Sequence, residues 1–223
     1  MLTSEKRDEI YGGETPRTSI EHIQQTIERL NEHLPENVKW LNFLDYAAWS
    51  WGIWGYFLKK WANVDFAEIA NTMIYELRQK FTYNNEIWDI LDERQNRWQA
   101  KVFPAKSPIE LPVENEHYNY IIAWAIFHHV SPEYRKEFLD KFWELLKKDW
   151  KIFIAWWDET DIVLREDWYK GHVTWEPSYT INSLPDYMNN ELFEIEETWT
   201  FDQKIPCFDT PRTFRYFVIR YKQ

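Results

Sequence analysis

The apolar positions of this chain change period from one segment to the next. Ile20, Ile23, Ile27, Leu30 and Leu34 recur at spacings of three and four, with charged residues between them. That period predicts a helix over Ser19–Leu34 with one apolar face, and Pro35 ends it. Leu41–Tyr46 is short and mostly apolar and predicts a buried strand. Gly52–Lys60 predicts a helix closing on Lys59 and Lys60. Ala62–Ala67 predicts a second strand, and Asn71–Phe81 a helix with Met73, Ile74, Leu77 and Phe81 inward. Residues 84–97 read as a mostly polar helix, and Ala100–Phe103 as a third strand before a loop marked by Pro104, Pro108 and Pro112. Tyr118–Trp124 is a fourth strand, apolar for most of its length. Ser131-Pro132-Glu133 is a helix start: a serine cap, a proline at the first helical position and an acid at the positive end of the dipole. That helix is expected to run to about Lys148 and to feed a fifth strand over Lys151–Trp156. Leu192–Phe201 and Thr213–Tyr221 flank a loop holding Pro206 and Pro211 and read as an antiparallel pair.

Strands alternate with helices through the fifth strand, and then two strands follow in succession. The expected fold class is α/β: a seven-stranded, mostly parallel, Rossmann-like sheet with helices on both faces and a C-terminal antiparallel strand pair. Residues 1–37 read as an N-terminal arm and helix. Residues 38–223 read as the main domain, with a mixed insert at about 158–190 and a short helix near 181–189. In such sheets a ligand sits outside the carboxyl ends of the strands. The loops after the first four strands are therefore the places to look for chemistry.

Charge narrows the function classes. The formal net charge is −11, from 26 Lys and Arg against 37 Asp and Glu. Non-specific binding to nucleic acid or an anionic membrane needs a basic footprint that this balance does not supply. One cysteine, Cys207, excludes an internal disulfide and fits a reducing, cytoplasmic compartment. The segment MLTSEKRDEI lacks the apolar core of a signal peptide, and no apolar run reaches the length of a membrane helix.

The loop after the first strand reads Leu44-Asp45-Tyr46-Ala47-Ala48-Trp49-Ser50-Trp51. The second strand is followed by an acid, Glu68, about seventeen residues beyond Trp51. Lys106-Ser107-Pro108-Ile109-Glu110-Leu111-Pro112 follows the third strand, and Tyr118-Asn119-Tyr120-Ile121-Ile122-Ala123 forms the fourth. Phe127-His128-His129-Val130, the capped helix and Leu145–Ile154 come next. Taken in order, these segments resemble the class I S-adenosylmethionine-dependent methyltransferases over residues 38–157, and the final strand pair does so more loosely.

The resemblance implies methyl transfer from S-adenosylmethionine to an acceptor of small-molecule type. It implies that Asp45, Ala47 and positions 49 and 51 shape the cofactor loop. Glu68 takes the position of the carboxylate that accepts both ribose hydroxyls. Ser107 stands where an adenine-contacting aspartate is common, Ala123 borders the methyl group, and His128 is the first residue to test as a general base. The alternative is a non-catalytic domain of the same fold acting through a protein partner, favoured if Trp49 and Trp51 are genuine. Residues 1–18 and 158–190, where an acceptor would be selected, carry no recognised motif.

The same loop departs from the family in one respect: Trp49 and Trp51 occupy its glycine positions. Composition shows the same trade. About 16 glycines are expected in a chain of this length, yet there are 5, against 15 tryptophans. Trp61 and Trp150 each follow a lysine-rich helix end and precede a strand. That is the C′ position, where a left-handed backbone favours glycine and a Cβ costs roughly 1–2 kcal/mol. Trp49, Trp51, Trp61 and Trp150, then Trp40 and Trp98 before strands, are therefore expected to stand for glycine through a reassigned UGA codon. Trp143 on a helix and Trp156 in a strand read as genuine.

The remaining candidates are weaker. Adjacent histidines such as His128 and His129 diverge by about 100° on a helix and rarely share an ion, and no ligand-spaced Cys or His cluster accompanies them, so no metal site is expected. Ser50 has no evident histidine partner for nucleophilic chemistry. Asp158, Glu159 and Asp161 follow the fifth strand and are expected in a solvated acidic loop.

Overall fold

The computed structural model describes residues 20–47, 57–58, 60–68, 74, 100–105, 107–124, 127, 130, 132–158, 184–203 and 211–222. Seven strands form a mixed sheet in the order β3-β2-β1-β4-β5-β7-β6. They are β1 (Asn42–Tyr46), β2 (Asn63–Glu68), β3 (Ala100–Pro104), β4 (Tyr118–Trp124), β5 (Leu146–Trp157), β6 (Phe193–Gln203) and β7 (Arg212–Tyr221). The pairs β1–β2, β2–β3 and β4–β5 are parallel, whereas β7 is antiparallel to both β5 and β6. This is the α/β class expected from the alternation of strands and helices. The chain divides into two compact units, residues 2–111 and 112–223.

In the first unit, α1 (Ile20–His33) precedes the parallel strands. Its buried stripe runs through Thr26 and Leu30, with Ile27 and Leu34 only partly covered. Strands β1 and β2 are buried almost end to end, which explains their lack of polar alternation. Phe43 of β1 stacks on Phe57 at 5.1 Å, tying the strand to the helical residues Phe57 and Leu58. Of the helix expected over Asn71–Phe81 only Ile74 is described; it is helical and buried, as the periodicity required. The polar helix expected over 84–97 lies outside the described residues.

The turn from Phe57 into β2 has a defined geometry. Ala62 N–H donates to the Phe57 carbonyl at 3.1 Å, and Trp61 N–H donates to the Leu58 carbonyl at 2.9 Å. These are the two bonds of a Schellman motif, with Trp61 at C′ and φ 71°. Trp40, just before β1, has φ 69°, and its N–H donates to the Trp61 carbonyl at 2.9 Å. Lys39 Nζ lies 5.6 Å from the Trp40 ring and 5.8 Å from the Trp61 ring. Such exposed contacts contribute about 0.5–1 kcal/mol each, against roughly 1–2 kcal/mol for each left-handed Cβ.

In the second unit, α2 (Pro132–Leu145) buries Phe138, Leu139, Phe142, Trp143 and Leu145. It turns Lys136–Asp140 and Lys141–Glu144 pairs outward. Trp143 stacks on Phe193 of β6 at 3.7 Å, and Tyr221 Oη donates to the Trp143 carbonyl. The helix ends at Leu145, short of the expected Lys148, and β5 begins at once. The register of β5 against β4 then slips between Tyr118 and Tyr120. Within that irregularity the left-handed residue is Asp149, φ 68°, and not Trp150 as the sequence suggested. A short carboxylate side chain tolerates this conformation better than an indole. Trp150 instead sets its ring edge-on to Tyr120 at 5.1 Å.

A short helix α3 (Leu184–Tyr187) falls within the stretch expected to be helical and leads to β6. β6 ends the sheet order, carries Glu194, Glu196 and Glu197, and has a bulge between Ile195 and Glu197 where it pairs with β7. Beyond the bulge Trp199 and Phe201 stack on Tyr216 at 5.0 Å and 4.6 Å.

Candidate active site

Two carboxyl groups meet at the carboxyl ends of β1 and β2. Asp45 is the penultimate residue of β1 and Glu68 the last of β2, and both are 2% exposed. In the parallel register Asp45 lies opposite Phe66, two residues before Glu68. Side chains alternate along a strand, so both acids project from the same face of the sheet. Burial first, and the Glu68 carboxylate second, push the Asp45 carboxyl well above the usual carboxylate range. Asp45 Oδ2 is buried and has no hydrogen-bond partner among the described residues.

The backbone opens the site at Ala47. Its N–H donates to the Ala67 carbonyl at 2.8 Å, which carries the β1–β2 ladder one residue past Tyr46. Its φ of 65° then turns the chain out of the strand. On the other side of β2, Ala105 N–H donates to the Glu68 carbonyl at 3.0 Å and fixes the backbone of the acid. Ser107 is half-buried, and its carbonyl accepts the Glu110 N–H at 3.1 Å, closing the single turn Pro108–Glu110.

The structure thus brings Asp45, Ala47 and Glu68 together at adjacent strand ends, with Ser107 following β3 in the same unit. Ala123 belongs to the second unit, fully buried in β4 opposite Ile154. Trp49, Trp51 and His128 lie outside the described residues. Neighbouring Phe127 is fully buried against Phe138 at 5.3 Å, and Val130 N–H returns to its carbonyl at 3.0 Å.

Two features were not visible in the sequence. Arg135 of α2 is fully buried; its Nε donates to the Val130 carbonyl at 3.1 Å, and its guanidinium lies 5.4 Å from the Tyr187 ring. A lone arginine within an amphipathic helix gives no signal of burial. Asp158, expected in solvent, is instead fully buried and ion-paired with Arg215 of β7. Its N–H donates to the Thr213 carbonyl at 2.9 Å, so the end of β5 is closed by a structural pair. Tyr120 is also perturbed: burial, then the charge of Glu196, push its hydroxyl well above the usual phenol range.

No family model and no curated protein matches the sequence. Solved structures do. The MccD protein superposes with a TM-score of 0.66 at 15% identity, covering 93% of this chain and 100% of that one. A SAM-dependent methyltransferase from Methanosarcina mazei gives 0.66 at 12% identity, covering 87% and 98%. The 1,6-didemethyltoxoflavin-N1-methyltransferase of Burkholderia thailandensis, solved with 1,6-didemethyltoxoflavin and S-adenosylhomocysteine bound, gives 0.58 at 13%, covering 89% and 78%. The strand order, the antiparallel β7 and these superpositions together give the chain the Rossmann-like fold of the SAM-dependent methyltransferases.

Proposed function

We propose that this protein transfers a methyl group from S-adenosylmethionine to a small-molecule acceptor. The observation that carries the reading is the pair of buried carboxyl groups, Asp45 and Glu68, on one face at the ends of β1 and β2. A cis-diol presents two donors side by side, and a carboxylate accepts both. Glu68 is fixed at its backbone by Ala105 and suits that role. The free lone pairs on buried Asp45 Oδ2 fit a further donor from the loop or the ligand. These residues fit the nucleoside part of the cofactor. Trp49 and Trp51, as written, do not suit a loop whose backbone must approach a ligand.

Bound S-adenosylmethionine supplies an electrophilic methyl on a sulfonium sulfur. The chain then has to orient the acceptor and exclude water. Ala47 turns the loop, Ser107 borders the adenine, and Ala123 borders the methyl position. His128 takes the acceptor's proton where the accepting atom carries one. The net charge of −11 supports a small acceptor over a nucleic acid, and the single cysteine supports a cytoplasmic enzyme. No helix among the described residues is long and apolar enough to cross a membrane.

A second reading is a non-catalytic domain working through a protein partner. Two indoles in the loop after β1 favour it, because they would fill cofactor space. Calorimetric titration with S-adenosylhomocysteine separates the readings. Saturable binding by the Trp49→Gly/Trp51→Gly protein, lost on adding Glu68→Ala, is the expected result. Absence of binding by the glycine form overturns the enzyme reading.

A further inference from the structure

We infer that Trp40 and Trp61 are glycines in the natural protein, written as tryptophan because a UGA codon that its cells read as glycine was translated under another code. Backbone geometry carries this, and it does not rest on the methyltransferase reading. Five non-glycine residues among those described have positive φ: Trp40, Ala47, Trp61, Glu116 and Asp149. Aspartate is among the few residues that take this region readily, whereas at the other positions the Cβ meets the following carbonyl. Tryptophan, a rare residue with no local polar group to compensate, takes two of the five places. Trp61 also completes both hydrogen bonds of a Schellman motif, the helix ending in which C′ is most often glycine.

The rest of the chain supplies a control. All five glycines, at 12, 13, 52, 55 and 171, lie outside the described residues. No turn among the described residues therefore holds a glycine. Trp143 and Trp199 are tryptophans of another kind. Neither has positive φ, and each spends its indole on a ring stack, with Phe193 at 3.7 Å and Tyr216 at 5.0 Å. Trp40 is 43% exposed, and neither it nor Trp61 is among the buried core residues. Left-handed backbone thus sorts the tryptophans into two classes. Positions 40 and 61 enter the glycine class, whereas Trp150 leaves it. A code that reads UGA as glycine would act on every such codon, so the codons of Trp49 and Trp51 in the loop after β1 are to be read with those of 40 and 61.

The coding DNA gives the first test. TGA at codons 40 and 61, with TGG at 143 and 199, is expected; TGG at 40 and 61 overturns the inference. Peptide mass spectrometry of the protein isolated from its own cells gives the second: glycine at both positions supports it, and tryptophan at either overturns it. The third is thermal unfolding of the recombinant chain. Trp61→Gly is expected to raise the midpoint by about 2–4 °C, whereas Trp143→Gly lowers it. A clear fall in midpoint for Trp61→Gly counts against a glycine site there. TGA codons in a protein whose glycine form binds no S-adenosylhomocysteine would uphold this inference and remove the proposed function.

Discussion

The carboxyl ends of β1 and β2 and the carboxyl end of β5 both bury an aspartate, with opposite outcomes. Asp158, after β5, is fully buried and ion-paired with Arg215, so its charge is answered within the fold. Asp45 is about as well covered, but the charge that acts on it is that of another acid, Glu68. One arrangement stabilises the fold. The other tolerates repulsion at a place where a ligand with hydrogen-bond donors would relieve it. A buried carboxyl group therefore points to function only when its surroundings oppose its charge.

Removing the cation at β5 should show the larger effect. Arg215→Ala removes this ion pair from a buried carboxylate and is expected to cost about 3 kcal/mol of stability, read by urea denaturation. That is the low end of the usual range, since Arg215 is itself 29% exposed. A loss under 1 kcal/mol would remove the contrast with Asp45. At the other site the loss should fall on binding. Glu68→Ala is expected to weaken S-adenosylhomocysteine binding at least tenfold, the loss of about 1.5–3 kcal/mol from charged hydrogen bonds. Unchanged affinity would break the assignment.

The smallest effect concerns pH. The folded protein holds the Asp45 proton more tightly than the unfolded chain does, because its carboxyl is raised in the fold. Its contribution is complete below the ordinary carboxylate range and is lost as pH rises through the folded value. Asp45→Asn should flatten that fall and leave the protein about 1 kcal/mol more stable than the parent at pH 8, measured by urea denaturation across pH. Asp158→Asn should not reproduce the gain, since it discards an attraction.

Much of the sheet was legible because each strand announces itself locally. Leu41–Tyr46 and Tyr118–Trp124 are apolar runs bounded by turn residues, and both are strands within a residue of expectation. Helix ends were harder. Nothing in Lys147-Lys148-Asp149 marks a helix stop at Leu145, and the stop follows from pairing with β4. At the site, Asp45 and Glu68 could each be identified by position along the chain. Their coupling could not, because it depends on the register of two strands separated by a helix-length crossover. The Asp158–Arg215 pair was hidden for the same reason, its members standing 57 positions apart.

The bulge at Glu196 bears on how this protein behaves in a crowded solution. An outer strand of eleven residues is long enough to template the addition of another chain. Here the strand kinks between Ile195 and Glu197 and carries acids at 194, 196 and 197. A second copy arriving in register would meet an uneven edge, on which Glu194 and Glu196 are already paired with Arg220 and Lys151. The last strand of the sheet is thereby a poor seed for filaments, although Trp199 and Phe201 give it an aromatic face.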